Sequence, residues 1–109
     1  MTSRQKFIAG TEPDSLLSDF DNFWAAYPKL RRVAKGKART AWQRAIKRLK
    51  SRGMKEGDAI EMVLAAVAEF AMSPFGKGRY CPGPEPWLNQ DRWDDDRTAW
   101  AYESLDDVP

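Results

Sequence analysis

Histidine is absent from the 109 residues, and cysteine occurs once, as Cys81. The first absence removes the side chain whose proton exchange falls nearest neutral pH, so acid–base catalysis loses its commonest agent. The second excludes an internal disulfide and any multi-cysteine metal site. No apolar run approaches the ~20 residues needed to cross a bilayer, so no membrane partner is expected. The opening MTSRQKFIAGTEP has no apolar core of signal-peptide type, which makes a cytoplasmic location the expectation. Cys81 stands between Tyr80 and Pro82 with no activating partner in sequence, and Ser51 and Ser73 lie in turn-like places without a base. The GKGR stretch at 76–79 lacks the strand and helix that would make it a phosphate loop. Asp94, Asp95 and Asp96 offer the carboxylate oxygens that a hard divalent cation takes. Neighbouring residues point in different directions on any regular element, however, and the run reads as a solvated surface. The expectation is a chain without enzymatic activity, cofactor or metal.

What is present is a segregated charge. The net charge is only +2, yet the stretch 29–55 holds twelve Lys or Arg and no acid. The stretch 91–109 holds seven acids against Arg92 and Arg97. Such asymmetry points to an anionic partner for the middle, an intramolecular clasp between the two, or both. The 42% hydrophobic content suits one domain of modest core, and five Trp are many for this length.

Periodicity predicts three helices. The first runs from Asp14 or Ser15, both good N-caps, to Tyr27, where Pro28 stops it. Leu16, Leu17, Phe20, Phe23, Trp24 and Tyr27 fall on one face of it. The second begins near Ala34 or Lys35 and closes at Gly53, with Ala38, Ala41, Trp42, Ala45, Ile46 and Leu49 as its apolar stripe. Its other face is cationic. Lys35 and Lys37 beside unpaired N-terminal amides would suit a phosphate. The third spans roughly Lys55 to Met72 on a stripe of Ile60, Val63, Leu64, Val67, Phe70 and Ala71, with Ala59, Ala66 and Ala68 permitting close approach. SPFGKGRYCPGPEP then reads as a long loop pinned by Phe75, Tyr80 and its prolines. Pro86 opens a helical turn through Asn89, and Gln90 to Trp93 form another. Trp87, Leu88 and Trp93 are expected to cover the open side of the bundle, and Trp24, Trp42, Trp87 and Trp93 to meet as one aromatic knot.

The predicted fold is therefore all-α, a small three-helix domain with a Pro- and aromatic-rich C-terminal segment packed over it. Residues 1–13 are predicted to be a flexible arm, 14–97 the helical domain and 98–109 an acidic tail. The second helix is about 28 Å long at ~1.5 Å per residue. Lys35, Lys37, Arg39, Arg44, Lys47, Arg48 and Lys50 on it are the candidate contacts to a nucleic-acid backbone. Roughly six to ten such contacts would make binding steeply salt-dependent.

The spacing Phe23-Trp24-x-x-Tyr27-Pro28, then Lys35-x-x-Ala38-x-x-x-Trp42, then Pro86-Trp87-Leu88-Asn89-x-x-Arg92-Trp93-Asp94 resembles a module of tailed-phage and prophage proteins. That module sits at the C-terminal end of replication-initiator or primosome-type proteins. The resemblance implies a part in starting phage DNA replication, by contact with DNA or by recruitment of a replicative helicase. The alternative is a protein-interaction adaptor, whose basic face docks an acidic partner or whose acidic tail acts as a regulator. Physically, the same aromatic cluster marks a core.

Overall fold

Three amphipathic helices, each hiding an apolar stripe, build the body of the protein in a computed structural model that describes residues 12–104 and 106. They are α1 (Glu12–Ala26), α2 (Lys35–Ser51) and α3 (Glu56–Met72), followed by the short helices α4 (Pro74–Lys77) and α5 (Pro84–Asn89). Three 3-10 turns complete the chain at Lys29–Arg31, Arg92–Asp94 and Arg97–Ala101. Among the described residues there is no strand, so the all-α expectation holds.

α1 starts before the predicted caps, with Pro13 inside its first turn, where a missing N–H costs nothing. It ends at Ala26, one residue before Tyr27. Phe20, Phe23 and Tyr27 are buried, while Trp24 is only half-buried at the rim. The side chains of Leu16 and Leu17, and the predicted arm before Glu12, lie outside the described residues. Arg32 then turns back onto α1, donating to the carbonyls of Ala25 (2.6 Å) and Tyr27 (2.9 Å). A guanidinium there satisfies orphan acceptors and opposes the negative end of the helix dipole.

α2 buries the six predicted apolar residues and no others. Its end is a Schellman motif: Gly53 N–H donates to Lys50 O (2.9 Å) and Met54 N–H to Leu49 O (3.2 Å). Gly53 takes φ +99°, a left-handed conformation that glycine adopts without a Cβ clash. α3 packs against both α1 and α2. Its buried set is Ala59, Val63, Ala66, Val67 and Phe70. Ile60 and Leu64 are half-buried and Ala68 is exposed, so the buried stripe turns toward the small residues that admit close neighbours.

The predicted loop after Met72 is more regular than its proline and glycine content suggests. Ser73 caps α4, accepting from Gly76 N–H (3.1 Å) and donating to Phe70 O (2.6 Å). Phe75 is buried, but Tyr80 is 57% exposed and pins nothing. α5 opens two residues earlier than predicted, with Pro84 in its first turn, and packs on α2. Trp87, Leu88 and Trp93 are buried over the bundle.

Rings link these layers. Phe23 lies 5.5 Å from Trp42 and 5.9 Å from Trp87, and Trp87 lies 6.3 Å from Trp93. Among the described rings, Trp24 meets this knot through Phe20, at 6.1 Å. The packed unit also extends past residue 97, where a tail was predicted. Trp100 is 2% exposed, edge-on to Phe70 at 5.2 Å, and its indole N–H donates to Asp95 (3.0 Å). The acidic run is accordingly structural in part. Asp95 takes Arg92 (3.0 Å) as well as Trp100, and Asp96 caps the last turn by accepting from Thr98 N–H (3.0 Å). That bond and a second from the Thr98 hydroxyl hold the Asp96 carboxyl below the usual carboxylate range.

Candidate nucleic-acid interface

The apolar stripe of α2 faces the core, so its cations fan across the remaining arc, between α1 on one side and α5 with the Arg92–Asp94 turn on the other. This arrangement separates the seven candidate residues into three groups. Lys37, Arg44 and Lys47, at steps of seven and three, form the central ridge. All three are exposed and none makes an ion pair among the described residues. The ridge runs about 15 Å along the axis at ~1.5 Å per residue.

Lys35 and Arg39 flank α1. The Lys35 ammonium lies 5.6 Å from the Trp24 ring and the Arg39 guanidinium 5.2 Å from Phe20. A ring face holds a cation without neutralising it, so both keep a charge for an outside anion. The other flank differs. Arg48 donates to Asp91 at 2.6 Å and to Leu88 O at 2.9 Å, with its guanidinium 5.9 Å from the Trp93 ring. Lys50, about half a turn round the helix from Arg48 and so on the α1 side, pairs with Glu56 at 2.9 Å. Arg52 reaches Asp91 at 3.2 Å and Asp94 at 3.8 Å. Asp91 and Asp94 make a clasp of the anticipated kind with Arg48 and Arg52, but it covers one flank and leaves the ridge open. The free cations therefore number three to five, fewer than six.

Asp91 owes its place to backbone geometry. It sits in the left-handed region at φ 52°, which turns the chain out of α5 and brings the carboxylate back to α2. Asp tolerates that region better than most residues.

The start of α2 is open. Ala34 stands at φ 53° in the N-cap position with no side-chain bond to the first turn, and no acid occupies that turn. The amides of the first turn therefore lack a side-chain acceptor, with Lys35 and Lys37 beside them. A groove of about 470 Å³ begins here, walled by Gly36, Lys37, Thr40 and Arg44 of α2 and by Glu85 and Asn89 of α5. Asn89 was legible only as part of the aromatic motif. Its exposure beside the cationic ridge comes from α5 packing on α2.

Arg31 and Arg32, between α1 and α2, are spent on structure. Arg31 donates to Arg79 O (2.7 Å) and Cys81 O (3.0 Å), tying the segment before α5 to the turn after α1. Tyr27 reinforces that tie, donating to Pro82 O (2.6 Å) and Gly83 O (3.0 Å). Burial pushes the Tyr27 hydroxyl far up, and it pushes the Cys81 thiol up from 9.0 to about 11. At neutral pH Cys81 is thus a protonated thiol, not the thiolate a nucleophile requires. Among the described residues no group of three or more His, Cys, Asp or Glu is arranged to hold a metal. No helix there is long and apolar enough to cross a membrane.

The family model of the Legionella vir region protein LvrA C-terminal domain matches residues 16–91. That span takes in α2, the groove and Asp91. No curated protein and no solved structure matches the chain.

Proposed function

The chain belongs to the family of the Legionella vir region protein LvrA C-terminal domain, and for this member we propose a non-enzymatic role in binding the phosphate backbone of a nucleic acid. The observation that carries this reading is the ridge of Lys37, Arg44 and Lys47, exposed and without ion pairs among the described residues. Lys35 and Arg39 extend the ridge toward α1. Phosphates along one strand lie against the ridge and displace condensed counterions, the main source of affinity for a backbone-reading surface. The start of α2 takes a terminal phosphate contact through its free amides. Asn89 and Thr40 line the adjoining groove and offer neutral hydrogen bonds. Arg48 and Lys50 act differently from the other five. They hold the helix to Asp91 and Glu56 and shape the edge of the surface. On the motif resemblance alone, we place this activity in phage DNA replication in the cytoplasm, with DNA as the nucleic acid.

Fluorescence anisotropy with labelled duplex DNA, single-stranded DNA and RNA across a salt series tests the reading. Three to five contacts at ~0.9 per cation give a log–log slope of roughly −3 to −5, and affinity falls about a hundredfold between ~50 and ~200 mM salt. Replacing Arg44 and Lys47 by Glu flattens the slope. No binding of any of the three nucleic acids at ~50 mM salt, or an unaltered slope in that variant, overturns the proposal.

A further inference from the structure

A second basic surface lies away from α2 and shares no residue with the ridge. It is a cleft of about 500 Å³ between the turn after α1 and the end of α3 with α4. Its apolar lining comes from Pro28, Leu30 and Ala71 and from the backbone of Gly76 and Gly78. Lys29, Lys77 and Arg79 also line it. All three are exposed, and none is in an ion pair among the described residues.

Two features set this cleft apart from ordinary surface. Leu30 is 89% exposed although it sits within the cleft wall. Leu30 stands there with Pro28 and Ala71 as further apolar lining, among the cations Lys29, Lys77 and Arg79. Gathered exposed apolar surface with a charged rim marks an interaction site more often than scattered residues do. The cleft is also built rather than loose. Arg31 bridges its two walls through the carbonyls of Arg79 and Cys81, and Ser73 fixes the start of α4. Gly78 lies under Glu103, whose side chain occupies the place of the absent Cβ.

We infer that this cleft docks a segment of a partner protein in which one large apolar side chain stands beside carboxylates. The apolar floor takes the side chain, and Lys29, Lys77 and Arg79 take the acids. Charge complementarity selects an acidic segment. The aliphatic wall selects protein over nucleic acid, since a sugar–phosphate chain gains little from Pro28 or Leu30. Such a contact is small and therefore weak and transient.

The probe is a panel of short synthetic peptides in which Asp and Glu flank Leu, Phe or Trp, titrated into isotope-labelled protein and followed by amide shifts. At least one member should shift Leu30, Ala71, Gly76 and Lys77. Leu30→Asp or Lys29→Glu/Lys77→Glu should weaken that peptide about tenfold or more. These side chains are exposed, so the variants fold, which circular dichroism checks. Several results overturn the inference. They are no shift from any peptide, equal binding of peptides whose apolar residue is replaced by Ser, or shifts confined to α2. A cleft that responds to duplex DNA instead belongs to the nucleic-acid path. Cleft amides that move on dilution, or on truncation after Glu103, show that a second copy or the chain's own end fills it. The inference stands or falls apart from the nucleic-acid reading, because Arg44→Glu/Lys47→Glu leaves the cleft intact.

Discussion

Replacing Asp91 with Asn removes one negative charge from the flank of α2 while leaving the backbone at ease, since Asn also accepts the left-handed region at φ 52°. Two guanidiniums lose a partner, with unequal consequences. Arg48 keeps its bond to Leu88 O at 2.9 Å and its place near the Trp93 ring. Arg52, with a side chain 52% exposed, keeps only Asp94 at 3.8 Å and swings free. One cation is thereby added to the five already available. The salt slope should steepen by about 0.9, and binding should tighten about tenfold at ~50 mM salt but only about threefold at ~200 mM. Stability moves the other way. The Arg48–Asp91 pair is partly exposed, at 34% and 25%, so screening discounts its worth to about 1 kcal/mol. For a domain of this size that loss lowers Tm by roughly 4–8 °C. Anisotropy across a salt series and thermal circular dichroism on one preparation read both effects. Asp91→Ala is the control and should lose a further ~1 kcal/mol through its left-handed backbone. If Asp91→Asn binds no tighter than the parent at low salt and has the same slope, Arg52 does not reach the nucleic acid and the ridge reasoning is wrong.

Other perturbations probe the fold. Trp100→Ala should cost about 3–5 kcal/mol, a core-sized loss, and urea denaturation would report it; a change under ~1 kcal/mol would make residues 98–101 a tail after all. Gly76→Ala drives a Cβ into the Phe70 carbonyl, which is backbone and cannot yield, so a loss of about 1–3 kcal/mol is expected in the same assay. The Cys81 thiol is pushed up from 9.0 to about 11, so folding favours its protonated form. The stability this contributes is whole below pH 9 and is lost as pH rises through 11. At pH 8 the native thiol should react with iodoacetamide about a hundredfold more slowly than in denaturant, because each unit of pKa is tenfold in thiolate.

The open ridge and the clasped flank have opposite uses. The flank orders the C-terminal half of α2 against α5, whereas the ridge makes no ion pair among the described residues.

Residue order alone determined the three helices and the inward face of α2. Periodicity, the prolines at 28 and 74 and the glycine at 53 act within a few residues, so a reader of the chain needs no partner to interpret them. The inward set of α2 was legible to the residue for that reason. Only the tertiary structure decided which cations are free. Arg48 and Asp91 stand 43 positions apart, and their meeting depends on α5 packing on α2 and on a left-handed turn at Asp91 that no local pattern announces. The same holds for Trp100, which looked like tail until Phe70 and Asp95 received it, and for Tyr80, which looked like a pin and faces solvent. Burial and ion pairing are properties of neighbours brought together in space, and the sequence specifies them only through the whole fold.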